Sequence, residues 1–141
     1  NIKEIKNNQI KFNYRNCDLP NDLIILSATF EGKPSSFQKI KDRQKELITK
    51  KKESQPGQIK TCGSTFKNPK NLKAWQLIKD SNCKDMSLGK AKISEKHCNF
   101  FVNSGNASSQ DIEGLIKKVK ARVKEKTGIS LELEIKIIGR F

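Results

Sequence analysis

Long hydrophobic runs are missing from this chain. Nothing approaches the ~18 consecutive apolar residues that a membrane-spanning helix needs. Histidine occurs once, as His97, and the four cysteines at 17, 62, 83 and 98 include no C-x-x-C pair, which argues against zinc or any other metal site. Their spacing fits unpaired thiols in a reducing compartment, so a cytoplasmic protein is expected. Arginine is scarce as well. Of 29 basic residues only Arg15, Arg43, Arg122 and Arg140 carry the planar fork that grips bases and phosphates bidentately. An RNP-like aromatic motif, a KH-type Gly-x-x-Gly loop and a helix-turn-helix signature are all lacking, which counts against nucleic acid as a partner. Asn1 opens the chain with no initiator Met and no signal-like segment, so the sequence reads as a soluble piece of something longer.

Lysine is what the chain has in excess. It sets a formal charge of +14 over 141 residues, and it is spread over every segment rather than gathered in one stripe. Such scattering reads first as a generic basic composition; a field of that sign also attracts polyanions, a nucleic acid or an anionic small molecule. With 34% hydrophobic and 31% charged residues the chain is lean, yet its apolar residues cluster periodically, so a folded core is expected.

Read in order, Ile10 to Tyr14 alternates at period two and Leu23 to Phe30 is a continuous apolar run after Pro20-Asn21-Asp22. Two strands joined by a turn are expected. Tyr14-Arg15 sets a phenol beside a guanidinium near a strand end; it reads either as an edge aromatic with a solvated charge or as a clamp for phosphate or carboxylate. Ser35 with Gln38 makes a capping-box pattern for a lysine-rich helix whose apolar stripe is Phe37, Ile40, Leu47 and Ile48, ended by Ser54-Gln55-Pro56-Gly57. A short helix is expected over 72–80, and short strands at 86–89, 92–93 and 99–103. A longer helix is capped by Ser108 and Asp111, striped by Ile112, Leu115, Ile116, Val119 and Val123, and stopped by Gly128. Leu131 to Ile138 alternates again, with Leu131, Leu133, Ile135 and Ile137 on one face. Helices mixed with hairpin-like strands indicate an α+β fold.

Three groups carry chemistry. Gly63-Ser64-Thr65-Phe66-Lys67-Asn68-Pro69 presents a hydroxyl after glycine and then a carboxamide on a turn, Glu134 sits within the late strand, and Tyr14-Arg15 comes early. With Gly89 to Phe100 and Leu131 to Gly139, these segments closely resemble the C-terminal part of UDP-N-acetylenolpyruvoylglucosamine reductase (MurB, UDP-N-acetylmuramate dehydrogenase). The resemblance runs in order over nearly the whole chain. It implies an oxidoreductase of bacterial peptidoglycan synthesis that uses NADPH and FAD to reduce UDP-N-acetylglucosamine enolpyruvate.

On that resemblance Ser64 is the proton donor and Glu134 the carboxylate that stabilises an enol-like intermediate. Tyr14, Arg15 and Asn68 are substrate-binding, and Lys52, twelve residues before Ser64, is a weaker match to a lysine near the diphosphate. The short segment between Pro69 and Trp75 matches the subtype without an inserted tyrosine loop. The flavin-binding half is not in these residues, so the chain alone is expected to hold no flavin and to be inactive until that half is supplied. The implied domains are 1–34, the end of an FAD-binding domain; 35–60, a connecting helix and linker; 61–133, a two-layer α/β substrate-binding domain; and 134–141, a strand returning toward the missing domain. A basic RNA-binding module and an inactive remnant of the reductase are the alternatives.

Overall fold

A computed structural model describes residues 1–20 and 22–139. Asn21 of the expected turn, and Arg140 and Phe141 at the end of the expected last strand, lie outside the described residues. The chain divides into two units, Asn1–Ile40 and Lys41–Phe141, with the division inside a helix.

In the first unit the expected strand over Ile10–Tyr14 is reduced to a small hairpin of β1 (Phe12–Asn13) and β2 (Asn16–Cys17), with Phe12 opposite Cys17 and Asn13 opposite Asn16. Lys11 and Asp18 extend it: the Lys11 N–H donates to the Asp18 carboxylate at 2.8 Å, and the Asp18 N–H to the Lys11 carbonyl at 3.2 Å. The expected strand over Leu23–Phe30 does not form, and Ile24 and Phe30 are 84% and 89% exposed. A strand is a pairing rather than a local preference, and this run has no ladder partner among the described residues.

Helix α1 (Phe37–Ser54) crosses from one unit to the other. Its cap is Ser36, whose Oγ accepts from the Lys39 N–H at 3.5 Å, one residue beyond the expected Ser35–Gln38 box. The stripe Phe37, Ile40, Leu47 and Ile48 is exposed. Glu46 accepts from Arg43 and Lys50 at 2.8 and 2.5 Å, and these hydrogen bonds hold its carboxyl below the usual range.

The second unit is built on a four-stranded antiparallel sheet. Its strands are β3 (Lys60–Ser64), β4 (Ser87–Leu88), β5 (Ala91–Ile93) and β6 (Phe100–Asn103), in the order β3-β6-β5-β4. Helix α2 (Ala74–Asp80) lies against α3 (Ser109–Thr127), and α3 packs on β4 and β5. The stripe read from sequence is the helical side of the core: Leu115, Ile116, Val119 and Val123 are buried with Ala91, Ile93 and Phe101 of the sheet and with Ala74 and Ile78 of α2. Gly114 lets the layers approach closely, since a Cβ there would lie 2.4 Å from Cδ2 of Leu88. This is the expected α+β class.

Both ends of α3 follow the expected chemistry. Ser108 Oγ accepts from the Asp111 N–H at 3.1 Å while the Asp111 carboxylate accepts from the Ser108 N–H at 3.0 Å, which lowers the pKa of Asp111. Gly128 closes the helix at φ +72° with its N–H on the Lys124 carbonyl. The expected strand over Leu131–Ile138 shrinks to one antiparallel bridge, Leu133 opposite Phe66. Leu131, Leu133 and Ile135 still turn toward the core, but Ile138 is 91% exposed and residues 134–139 form no strand. Alternation set the facing side, whereas strand length depends on having a partner to pair with. No helix among the described residues is long and apolar enough to cross a membrane.

Truncating a buried contact differs in scale from removing a cap. Leu115→Ala is expected to destabilise by about 2–5 kcal/mol, and Ser108→Ala by about 1 kcal/mol. Urea unfolding followed by circular dichroism measures both; equal losses would contradict this division of labour.

Candidate active site around Ser64

Strand β3 does not run straight to its end. Thr61 pairs with Val102 and Ser64 with Phe100, so three steps along β3 match two along β6, and Cys62-Gly63 form a bulge. Gly63 takes φ +85°, which glycine adopts without strain. The bulge shifts the register just before Ser64, at the end of the strand. This gives the Gly-Ser order of the motif a backbone cause.

After Ser64 the backbone is held from both sides. On one side the Thr65 N–H donates to the Asn99 carbonyl at 2.8 Å. At Phe66 the pairing passes to the Asn99 side chain, whose Oδ1 accepts from the Phe66 N–H at 2.9 Å and whose Nδ2 donates to the Phe66 carbonyl at 2.8 Å. On the other side the Glu134 N–H donates to the Thr65 carbonyl at 2.9 Å, and the Lys67 N–H to the Glu132 carbonyl at 2.8 Å. Phe66 is 1% exposed and meets Phe101 edge-on at 5.8 Å, so the loop is pinned to the core as well.

The register therefore brings Glu134 beside Thr65, the residue after Ser64. Glu134 is half-buried, and directly paired residues share a sheet face, which puts it on the side away from Phe66 and Leu133. Asn68 lies three residues beyond Thr65, and its Oδ1 accepts from the Ala74 N–H at 3.0 Å, capping α2 from upstream. That bond starts the helix at Ala74 rather than at the expected Leu72. Lys52 sits near the end of α1 with an exposed side chain, and its carbonyl accepts a hydrogen bond from the Lys96 ammonium. Tyr14 and Arg15 belong to the first unit. They form the two-residue turn of the β1-β2 hairpin, Arg15 at φ +56° with its guanidinium carbon 5.4 Å from the Tyr14 ring centroid.

Two features escaped the sequence reading. Asn99 reads as one more polar residue near a strand, because nothing in its neighbours tells that its carboxamide faces a buried peptide. His97 stands between aromatic rings, 4.8 Å from Phe100 and 6.4 Å from Trp75. Its Nδ1 accepts from the Asn99 N–H at 3.2 Å, which assigns the proton of the neutral ring to Nε2, and burial lowers its pKa. The four cysteines are free thiols, and burial pushes Cys83 and Cys98 up.

FAD requires an apolar slot for its ring and donors for its diphosphate. Two hollows among the described residues are a flank of α1 lined by Asp42, Lys45, Glu46, Thr49, Lys50 and Glu53, and a polar recess in the first unit. Neither takes in Ser64, Asn68 or Glu134.

Comparison with known proteins gives the family of the chain. Residues 55–138 match the family described as UDP-N-acetylenolpyruvoylglucosamine reductase, C-terminal domain. The UDP-N-acetylenolpyruvoylglucosamine reductase of Pelagibacter ubique is 52% identical over 133 residues, covering 92% of this chain and 44% of the relative. That of Parvibaculum lavamentivorans is 44% identical over 135 residues, covering 96% and 44%. A crystal structure of the reductase (MurB) from Thermus caldophilus matches with a TM-score of 0.77 at 33% identity, over 92% of this chain and 46% of that one. The chain thus spans about half the length of these relatives. With the hydroxyl loop, the late carboxylate and the β-bridge beside them in one matched segment, the chain belongs to the UDP-N-acetylenolpyruvoylglucosamine reductase family, of which it carries the C-terminal domain.

Proposed function

We propose that this chain is the substrate-binding and proton-donating part of an oxidoreductase that converts UDP-N-acetylglucosamine enolpyruvate to UDP-N-acetylmuramate in cytoplasmic peptidoglycan synthesis. The observation that supports this most directly is the 2.9 Å hydrogen bond from the Glu134 N–H to the Thr65 carbonyl, which ties the carboxylate's backbone to the residue following the hydroxyl. FAD, NADPH and the domain that binds them belong outside these residues, and the domain boundaries implied by the resemblance, with 61–133 as the substrate-binding domain, are part of the same proposal.

The chemistry explains why both groups are needed. When a hydride from outside this chain adds to one carbon of the enolpyruvyl double bond, negative charge builds on the neighbouring carbon beside the carboxylate. That charge must be stabilised and then protonated. Glu134 stabilises the enol-like intermediate. Ser64 Oγ–H gives its proton to the carbon, breaking one O–H bond and forming one C–H bond; the negative charge passes to Oγ, which regains a proton from solvent. A neutral serine is a weak acid in water, so the step needs a pre-organised polar setting.

Tyr14, Arg15, Asn68 and Lys52 are assigned to substrate binding, the two cations toward the diphosphate. Asn68 has a second duty, since its Oδ1 also caps α2. The +14 charge draws the polyanionic UDP-sugar and NADPH by the same field.

Two outcomes are expected. In a complete reductase carrying this chain, Ser64→Ala keeps flavin reduction by NADPH and slows reduction of the enolpyruvyl substrate by about 10²–10⁴-fold; stopped-flow absorbance separates the half-reactions, and equal loss of both sinks the proton-donor role. Titration with UDP-N-acetylglucosamine enolpyruvate is expected to shift NMR signals of Tyr14, Ser64 and Asn68. Unchanged spectra at millimolar ligand would count against the binding assignment.

A further inference from the structure

Asn99 is buried, 4% exposed, and its carboxamide hydrogen-bonds both backbone polar groups of a single residue, Phe66. Oδ1 takes the N–H of Phe66 and Nδ2 gives to its carbonyl, at 2.9 and 2.8 Å, so the carboxamide stands where a neighbouring strand's peptide would be. The backbone of Asn99 does the same for Thr65 at 2.8 Å. One residue thus continues the β6 side of the sheet past Ser64, after β3 has ended. The opposite side of the same segment carries Glu134.

We propose that Asn99 is a positioning residue for the reaction: through the Phe66 backbone it fixes the loop that follows Ser64 and meets the Glu134 backbone at Thr65. This rests on the reading of Ser64 as proton donor. At this reach the contact needs a donor and an acceptor side by side, which only asparagine and a neutral aspartic acid supply. Alanine leaves a buried N–H and C=O of Phe66 unpaired, and glutamine adds a methylene that displaces the amide. A carboxylate accepts from the N–H but faces the Phe66 carbonyl with a lone pair. A neutral carboxyl does not: it donates and accepts in the arrangement of the carboxamide.

The test uses a complete, flavin-loaded reductase that carries these residues, with its two half-reactions followed separately. Asn99→Ala is expected to slow substrate reduction by about tenfold to a hundredfold, because small displacements of a reacting group cost that much. Flavin reduction by NADPH is expected to stay within about twofold. Hydrogen exchange at the Phe66 amide is expected to quicken in the same variant, independently of turnover. Equal slowing of both half-reactions would mark a merely structural role and overturn the inference, as would an unchanged rate of substrate reduction.

Asn99→Asp decides the matter if the alanine variant does not fold. Its substrate-reduction rate, taken relative to the unsubstituted enzyme, is expected to rise as pH falls and the carboxyl becomes neutral; a pH-independent ratio overturns the proposal. Ser64→Ala in parallel separates the two readings. If it leaves substrate reduction intact, the proton-donor reading fails. If it slows substrate reduction while Asn99→Ala does not, that reading stands and positioning through Asn99 fails. When both hold, adding Asn99→Ala to Ser64→Ala is expected to slow the reaction no further, since a residue acting through the hydroxyl has nothing left to act on.

Discussion

A peptide buried along with its side chain must find its hydrogen bonds inside the protein, and Phe66 imposes that requirement on the whole candidate site. Its ring is held by the core, edge-on to Phe101, so the backbone beneath cannot reach water for its partners. Asn99 supplies them from one side, and the bridge to Leu133 places the Thr65–Glu134 and Lys67–Glu132 bonds on the other. Ser64 and Glu134 are neighbours of that arrangement rather than its cause. A loop at the candidate site with its own satisfied ladder is held by the protein alone.

What was legible in the sequence follows one rule. Features whose energetics are local were readable: the Ser108–Asp111 box, the stripe from Leu115 to Val123 and the Gly128 stop needed only neighbours within a few residues. Features that depend on a distant partner were not. Leu23–Phe30 and Leu131–Ile138 have the composition of strands, and the first gains no pairing while the second gains a single bridge. The same reasoning covers Asn68 and Asn99. Both are polar residues near turns in sequence; one caps a helix six residues on, and the other serves a peptide thirty-three residues away. Ser64 and Glu134 were recognisable because their segments resemble a family, not because their proximity could be deduced from spacing.

The two units differ in how fully they satisfy their own apolar residues. The second has one contiguous core with helices layered on a sheet. In the first, Ile24, Ile25, Leu26 and Phe30 are all exposed, and the stripe of α1 is uncovered on both sides of the division. Apolar burial is the main favourable term in folding, so the stability of this chain resides chiefly in residues from Lys60 onward. That is also where Ser64, Asn68 and Glu134 lie.

The bulge before Ser64 has a consequence of handedness. Nothing lies within 4 Å of where a Cβ at Gly63 would stand, and yet its φ is +85°. Room is therefore ample while the torsion disfavours an L side chain. The position selects by chirality and not by bulk: a D-alanine would sit there comfortably where an L-alanine would pull against the turn. The turn into Ser64 is written in the mirror sense of one achiral residue.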